Sequence, residues 1–173
     1  MTTFGIALDR SGSMRGEPEQ ACRQAWGMLA DELAEVPGVR IDVATFALRA
    51  THIGASVSTL PPFPEVPVVA MPSRLAPALS LIHESWGTVA TTSRATHRPP
   101  VFVVTDGGIS DYDRVVQLMD EGVARWQAQY VALYAGHRTR TLPGRLWTMH
   151  VPIHDLSRAR VASFIAQLMP SST

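Results

Sequence analysis

The 173-residue chain contains no lysine, no asparagine, a single cysteine and no excess charge of either sign. All fifteen Lys+Arg residues are arginine, which excludes a P-loop lysine, a Schiff base and any other chemistry needing an ε-amine. Without asparagine there is neither an N-glycosylation acceptor nor an Asn metal ligand. Cys22 alone can form no internal disulfide and seeds no zinc cluster. Fifteen basic residues balance fifteen acidic ones, so the composition points to neither nucleic acid nor an anionic membrane. No apolar stretch reaches the roughly 18 residues needed to span a bilayer. Met1-Thr2-Thr3 leads straight into a strand-like run with no basic n-region or cleavage site, which predicts a cytoplasmic protein.

What is present reads as one globular domain over 1–170 with a short C-terminal tail at 171–173. Short apolar runs alternate with amphipathic stretches. Phe4–Leu8 and Val101–Thr105 predict buried strands, Val39–Ala47, Tyr130–Tyr134 and Leu146–Val151 further strands, and Thr51–Thr59 a weaker edge strand paired as a hairpin. Helices are predicted after Gly16-Glu17-Pro18-Glu19, from Leu75 to Ala90, after a Ser110-x-x-Asp113 capping box, and from Asp155 onward. Val115, Leu118/Met119, Val123 and Trp126 should form the buried stripe of the third helix. Alternation of this kind predicts an α/β, three-layer, doubly wound Rossmann-like fold, mostly parallel with one antiparallel edge strand. Ligands of such sheets sit beyond the carboxyl ends of the strands, where the strand order reverses.

Two sequence features fall at such ends. "IALDRSGSM" places Asp9, Ser11 and Ser13 at alternate positions after the first strand, and "VFVVTD" places Asp106 after a central one. The Ser run is no hydrolase elbow, since Arg10-Ser11-Gly12-Ser13-Met14 does not match Gly-x-Ser-x-Gly. A dehalogenase-type phosphotransferase needs a second Asp where Ser11 stands, and a receiver domain needs a lysine. None of the six histidines pairs with a carboxylate at metal-binding helical spacing, so each is read as core or solvated. Oxygen-only donors suit a hard divalent cation, Mg²⁺ above all. An ion held by neutral hydroxyls keeps most of its charge and attracts a carboxylate from outside, which favours adhesion over hydrolysis. Cys22 falls on the apolar stripe of the first helix. Asp111 and Asp113 flank the start of the third, where capping and dipole interactions account for them.

"LDRSGSM" resembles the Asp-x-Ser-x-Ser element of the von Willebrand factor A (vWA) domain, and "VVTDGGISD" resembles that family's later strand-plus-Asp loop. "SGSMRGEPEQACRQAW" is similar to the bacterial tellurium-resistance-associated, TerY-like branch. The resemblance covers nearly the whole chain. It implies that Ser11 and Ser13 ligate a Mg²⁺ or Mn²⁺ ion directly and that Asp9 and Asp106 act mainly through water. The family's Thr ligand corresponds to Ser73 in "MPSRLAPAL", where the family's glycines are missing. Ser73 fits that ligand role and that of a helix N-cap alike.

The implied function is metal-ion-dependent protein binding with no catalysis, the partner offering a Glu or Asp carboxylate. The resemblance points to a MoxR-type AAA+ ATPase or to kinase and phosphatase modules in a bacterial stress-response or conflict-defence system. The Pro-rich segment 60–72 is expected to contribute to the partner surface. Two rival expectations stand beside it: a metal-independent scaffold with a degenerate site, and a phosphotransfer enzyme that uses Asp9 as acceptor.

Overall fold

The computed structural model describes residues 2–57, 59–65, 72–90, 98–135 and 147–168. The chain runs β1 (Thr2–Asp9), α1 (Glu17–Ala34), β2 (Val39–Phe46), β3 (Ala50–Val57), α2 (Ala76–Ala90), β4 (Pro100–Thr105), α3 (Tyr112–Trp126), β5 (Gln129–Tyr134), β6 (Trp147–Pro152) and α4 (Arg158–Leu168). The six strands order as β3-β2-β1-β4-β5-β6, with every pairing parallel except β2–β3. The predicted class is therefore the observed one, edge hairpin included. The order reverses between β1 and β4, whose register pairs Leu8 with Val104. Their carboxyl ends open side by side, and the crevice there is where an open α/β sheet presents ligands.

Strand alternation divides the core in two. Phe4, Ile6 and Leu8 pack with α1 and α4 on one face, whereas Ala7, Val101 and Val103 pack with α2 and α3 on the other. Cys22 lies inside the first layer, where burial pushes its thiol up to about 12 and leaves it inert at neutral pH. In the second layer His83 sits among Trp86, Trp126 and Tyr130, with Nε2 3.0 Å from the Tyr130 hydroxyl. It is a core histidine, as the sequence reading held. Gly122 faces this pair so closely that an added Cβ would run into the Tyr130 hydroxyl.

That contact explains one departure from expectation. The buried stripe of α3 is Val115, Leu118, Met119 and Gly122, and Val123 stands 41% exposed. The helix rolls to bring its glycine against Tyr130, and Val123 rotates off the core. Two helix starts also differ. No capping box forms at Ser110-x-x-Asp113, because the Ser110 hydroxyl donates to the Ser73 carbonyl at 2.9 Å instead. Asp155 closes a short 3-10 turn, Ile153–Asp155, and α4 opens only at Arg158, where the Ser157 hydroxyl accepts the Arg160 amide at 3.3 Å. The tail at 171–173, and residues 66–71 of the Pro-rich segment, lie outside the described residues.

Two stability measurements check this packing. Gly5→Ala places a methyl 2.7 Å from Ile82 Cγ2 and 3.2 Å from Trp86 Cζ2, and overpacking of this kind costs about 1–3 kcal/mol. Its thermal midpoint should fall by several degrees. Burial, helped by the Arg125 charge, lowers the His83 pKa from 6.5 to about 4. Between those values the unfolded chain holds a proton that the folded one does not. Stability is therefore full above about pH 6.5 and falls by about 3 kcal/mol as pH drops to about 4. Urea unfolding at pH 7 and pH 4.5 should show a clearly shallower pH dependence for His83→Gln than for the wild type.

Candidate metal centre

At the head of β1 the Asp9 side chain is fully buried, and three segments converge on it. The Ser11 amide donates to Oδ1 at 2.8 Å. The Ser73 hydroxyl donates to both oxygens, at 2.9 and 3.0 Å, and the Thr105 hydroxyl donates to Oδ2 at 2.7 Å. Burial pushes the Asp9 carboxyl above its usual range, while the bonds from Thr105, Ser11 and Ser73 pull it back. Ser11 Oγ lies 3.1 Å from Ser13 Oγ, in the 3-10 turn that carries the chain from β1 to α1. Ser11 is buried and Ser13 exposed, so this pair of hydroxyls runs from the buried carboxylate to the surface.

Of the five residues singled out in the sequence, four thus form one bonded cluster: Asp9, Ser11, Ser13 and Ser73. Asp106 stands one residue beyond the end of β4, half-buried, with Oδ1 accepting the Gly108 amide at 3.0 Å. Gly107, at φ 91°, turns the chain there in a conformation that side chains resist. Among the described residues no bond joins Asp106 to the cluster directly. The donor set is hydroxyl and carboxylate oxygen throughout, the chemistry of a hard divalent cation, and a buried carboxylate is a group that a cation stabilises. The Ser73 hydroxyl, having given its proton to Asp9, keeps its lone pairs for another partner, as a cation ligand must. The residues present fit such an ion.

Four residues that sequence reasoning assigned elsewhere, or not at all, complete the geometry. Thr105 is fully buried, and besides bonding Asp9 it accepts the Gly107 amide at 3.1 Å, tying the Asp106 loop to the Asp9 carboxylate. Only the β1–β4 register, which sets Thr105 beside Asp9, reveals that role. Arg10 is 4% exposed and reaches away from the cluster to Glu19 on α1, with both terminal nitrogens 3.2 Å from Oε1. Phe63 of the Pro-rich segment packs against the Arg10 and Arg23 guanidiniums and the edge of Trp26, whose Nε1 donates to the Pro61 carbonyl at 2.8 Å. The Asp111 side chain makes no cap bond to its own helix. Its oxygens accept the Leu75 and Ala76 amides at 2.9 and 3.1 Å, at the start of α2.

No protein-family model and no curated protein sequence matches the chain. Solved structures do. The fold is the von Willebrand factor A fold. A vWA domain from Catenulispora acidiphila superposes with TM-score 0.59 at 13% identity, over 96% of this chain and 41% of that one. Manganese-loaded TRAP protein from Plasmodium vivax gives 0.60 at 10% identity, over 95% and 72%. An aerotolerance-related membrane protein from Bacteroides fragilis gives 0.64 at 15% identity, over 97% and 98%. In this chain no described helix is long and apolar enough to cross a membrane. At these identities the likeness is one of vWA architecture, and the TerY-like branch has no counterpart among the three.

Thr105→Val removes one donor to Asp9 and the acceptor of the Gly107 amide. Leaving a buried carboxylate oxygen and a buried amide short of partners costs about 2–3 kcal/mol. Ser13→Ala, at the exposed end of the cluster, should cost less than about 0.5 kcal/mol. Guanidinium unfolding of both variants in chelator measures the difference.

Proposed function

We propose that this chain is a metal-ion-dependent protein-binding module, with Mg²⁺ or Mn²⁺ held by the Ser11, Ser13 and Ser73 hydroxyls and, mainly through water, by Asp9 and Asp106. The observation that carries this reading is the grouping of three serines around one buried carboxylate at the switch point of the sheet: Ser73 through its hydroxyl, Ser11 through its amide, and Ser13 through the Ser11 hydroxyl. The manganese-loaded TRAP structure, which shares the fold, supports a divalent ion in such a domain. When bound, the ion supplies positive charge and an open coordination position. Asp9 fixes the Ser73 hydroxyl in orientation and anchors the Ser11 backbone, and Ser13 keeps one hydroxyl at the surface. A Glu or Asp of a partner protein is the natural complement, since it neutralises the excess charge that hydroxyl ligands leave.

The wider setting we propose is a bacterial cytoplasmic stress-response or conflict-defence system of the TerY-like kind, with a MoxR-type AAA+ ATPase or a kinase or phosphatase module as partner. It rests on the sequence motifs alone. We assign the module no catalysis. Asp9 is fully buried and both its oxygens accept hydrogen bonds, which disfavours the bulky phosphoryl group of the phosphotransfer alternative. The metal-independent scaffold is an outcome of the tests below.

Mn²⁺ titration followed by electron paramagnetic resonance should show one site in the wild-type protein, lost in Ser11→Ala and Ser13→Ala while their folds persist. A pull-down from bacterial cytoplasm should recover a partner with Mg²⁺ and release it with EDTA. Equal recovery in both conditions would assign the interface to a metal-independent surface.

A further inference from the structure

The Ser73 hydroxyl gives its proton to Asp9, and its lone pairs could go to a helix amide, as in an N-cap, or to the metal cluster. The structure resolves the competition through a residue 38 positions further on. Every donor of the first turn of α2 has a partner. Leu75 and Ala76 donate to Asp111, Pro77 has no N–H, and Ala78 and Leu79 donate to the Leu75 carbonyl at 3.0 and 3.1 Å. The backbone on the near side is held as well. The Ser73 carbonyl accepts both the amide and the hydroxyl of Ser110, at 2.8 and 2.9 Å. Ser73 also bridges to Ile109, and the Arg74 amide donates to the Ala47 carbonyl at 2.7 Å.

We infer that Asp111 is a positioning residue for the candidate metal centre: by capping α2 from the loop that follows β4 it takes over the role of N-cap, fixes residues 73–76 against the 106–111 loop, and leaves the Ser73 hydroxyl to the Asp9 cluster. A carboxylate suits the place, because its negative charge faces the positive end of a 15-residue helix. The metal part of this inference rests on the function proposed above.

Four proteins test it: wild type, D111A, S73A and the D111A/S73A double variant. Two measurements are made on each, Mn²⁺ affinity by electron paramagnetic resonance and backbone amide exchange in metal-free protein. In D111A the Leu75 and Ala76 amides should exchange about tenfold faster while the β1 and β4 core amides keep their protection. Mn²⁺ affinity should fall by about 10–100-fold, the range seen when a residue supporting a metal ligand is lost. Because Asp111 acts through Ser73, the double variant should bind no more weakly than S73A. D111N, which retains one acceptor oxygen, should recover part of both readouts, and it carries the same measurements if D111A does not fold. Unchanged exchange at Leu75 and Ala76, or additive losses in the double variant, overturns the positioning role. Absence of Mn²⁺ binding by the wild type overturns the proposed function itself and the metal part with it.

Discussion

The Asp9 carboxylate is the constraint around which the upper face of this domain is arranged. A charge removed from water must be met by donors, and leaving it short would cost several kcal/mol. The fold meets it with an amide from its own loop, one hydroxyl from the connection before α2 and one from the end of β4. Each donor belongs to a different segment, so satisfying one side chain fixes three pieces of backbone. The Ser73 hydroxyl and the Ser11 backbone acquire their orientation from that requirement. A cluster able to hold a cation is a by-product of making a buried anion tolerable.

Around this centre two lateral anchors hold the loops. On the α2–α3 side, Asp111, Ser110 and Ile109 fasten the Ser73 segment to the loop that follows β4. On the α1 side Arg10 is clamped between Glu19 and the ring of Phe63. The guanidinium can grip a carboxylate with two nitrogens while presenting a flat face to an aromatic ring, which an ammonium cannot do. In a chain without lysine, that latch is an apt use of the one long cation available.

Much of the architecture was legible because its signals are local. "VFVVT" reads as a buried strand and Gly16-Glu17-Pro18-Glu19 as a helix start without reference to any partner. The Asp9-x-Ser11-x-Ser13 spacing was equally readable, since its three residues meet across one turn. What escaped was non-local. Thr105 matters only through a strand register, and Asp111 only because it serves another helix. Ser110 and Asp113 spell a capping box, but the Ser110 hydroxyl finds a better-placed carbonyl in Ser73. Val123 fits the period of its helix, yet the close approach of Gly122 to Tyr130 turned it outward. In each case tertiary contact overrode a correct local rule.

The separations along the chain carry a consequence for how the protein comes to exist. Asp9 meets Ser73 across 64 residues and Thr105 across 96. Closing loops of that size is entropically uphill until the sheet they join has formed, so such contacts belong to the later stages of folding. A nascent or partly opened chain can display Ser11 and Ser13 side by side, but the carboxylate beneath them has none of its distant donors. The cluster thus exists only in the finished domain, and its assembly marks that β1 and β4 have found each other.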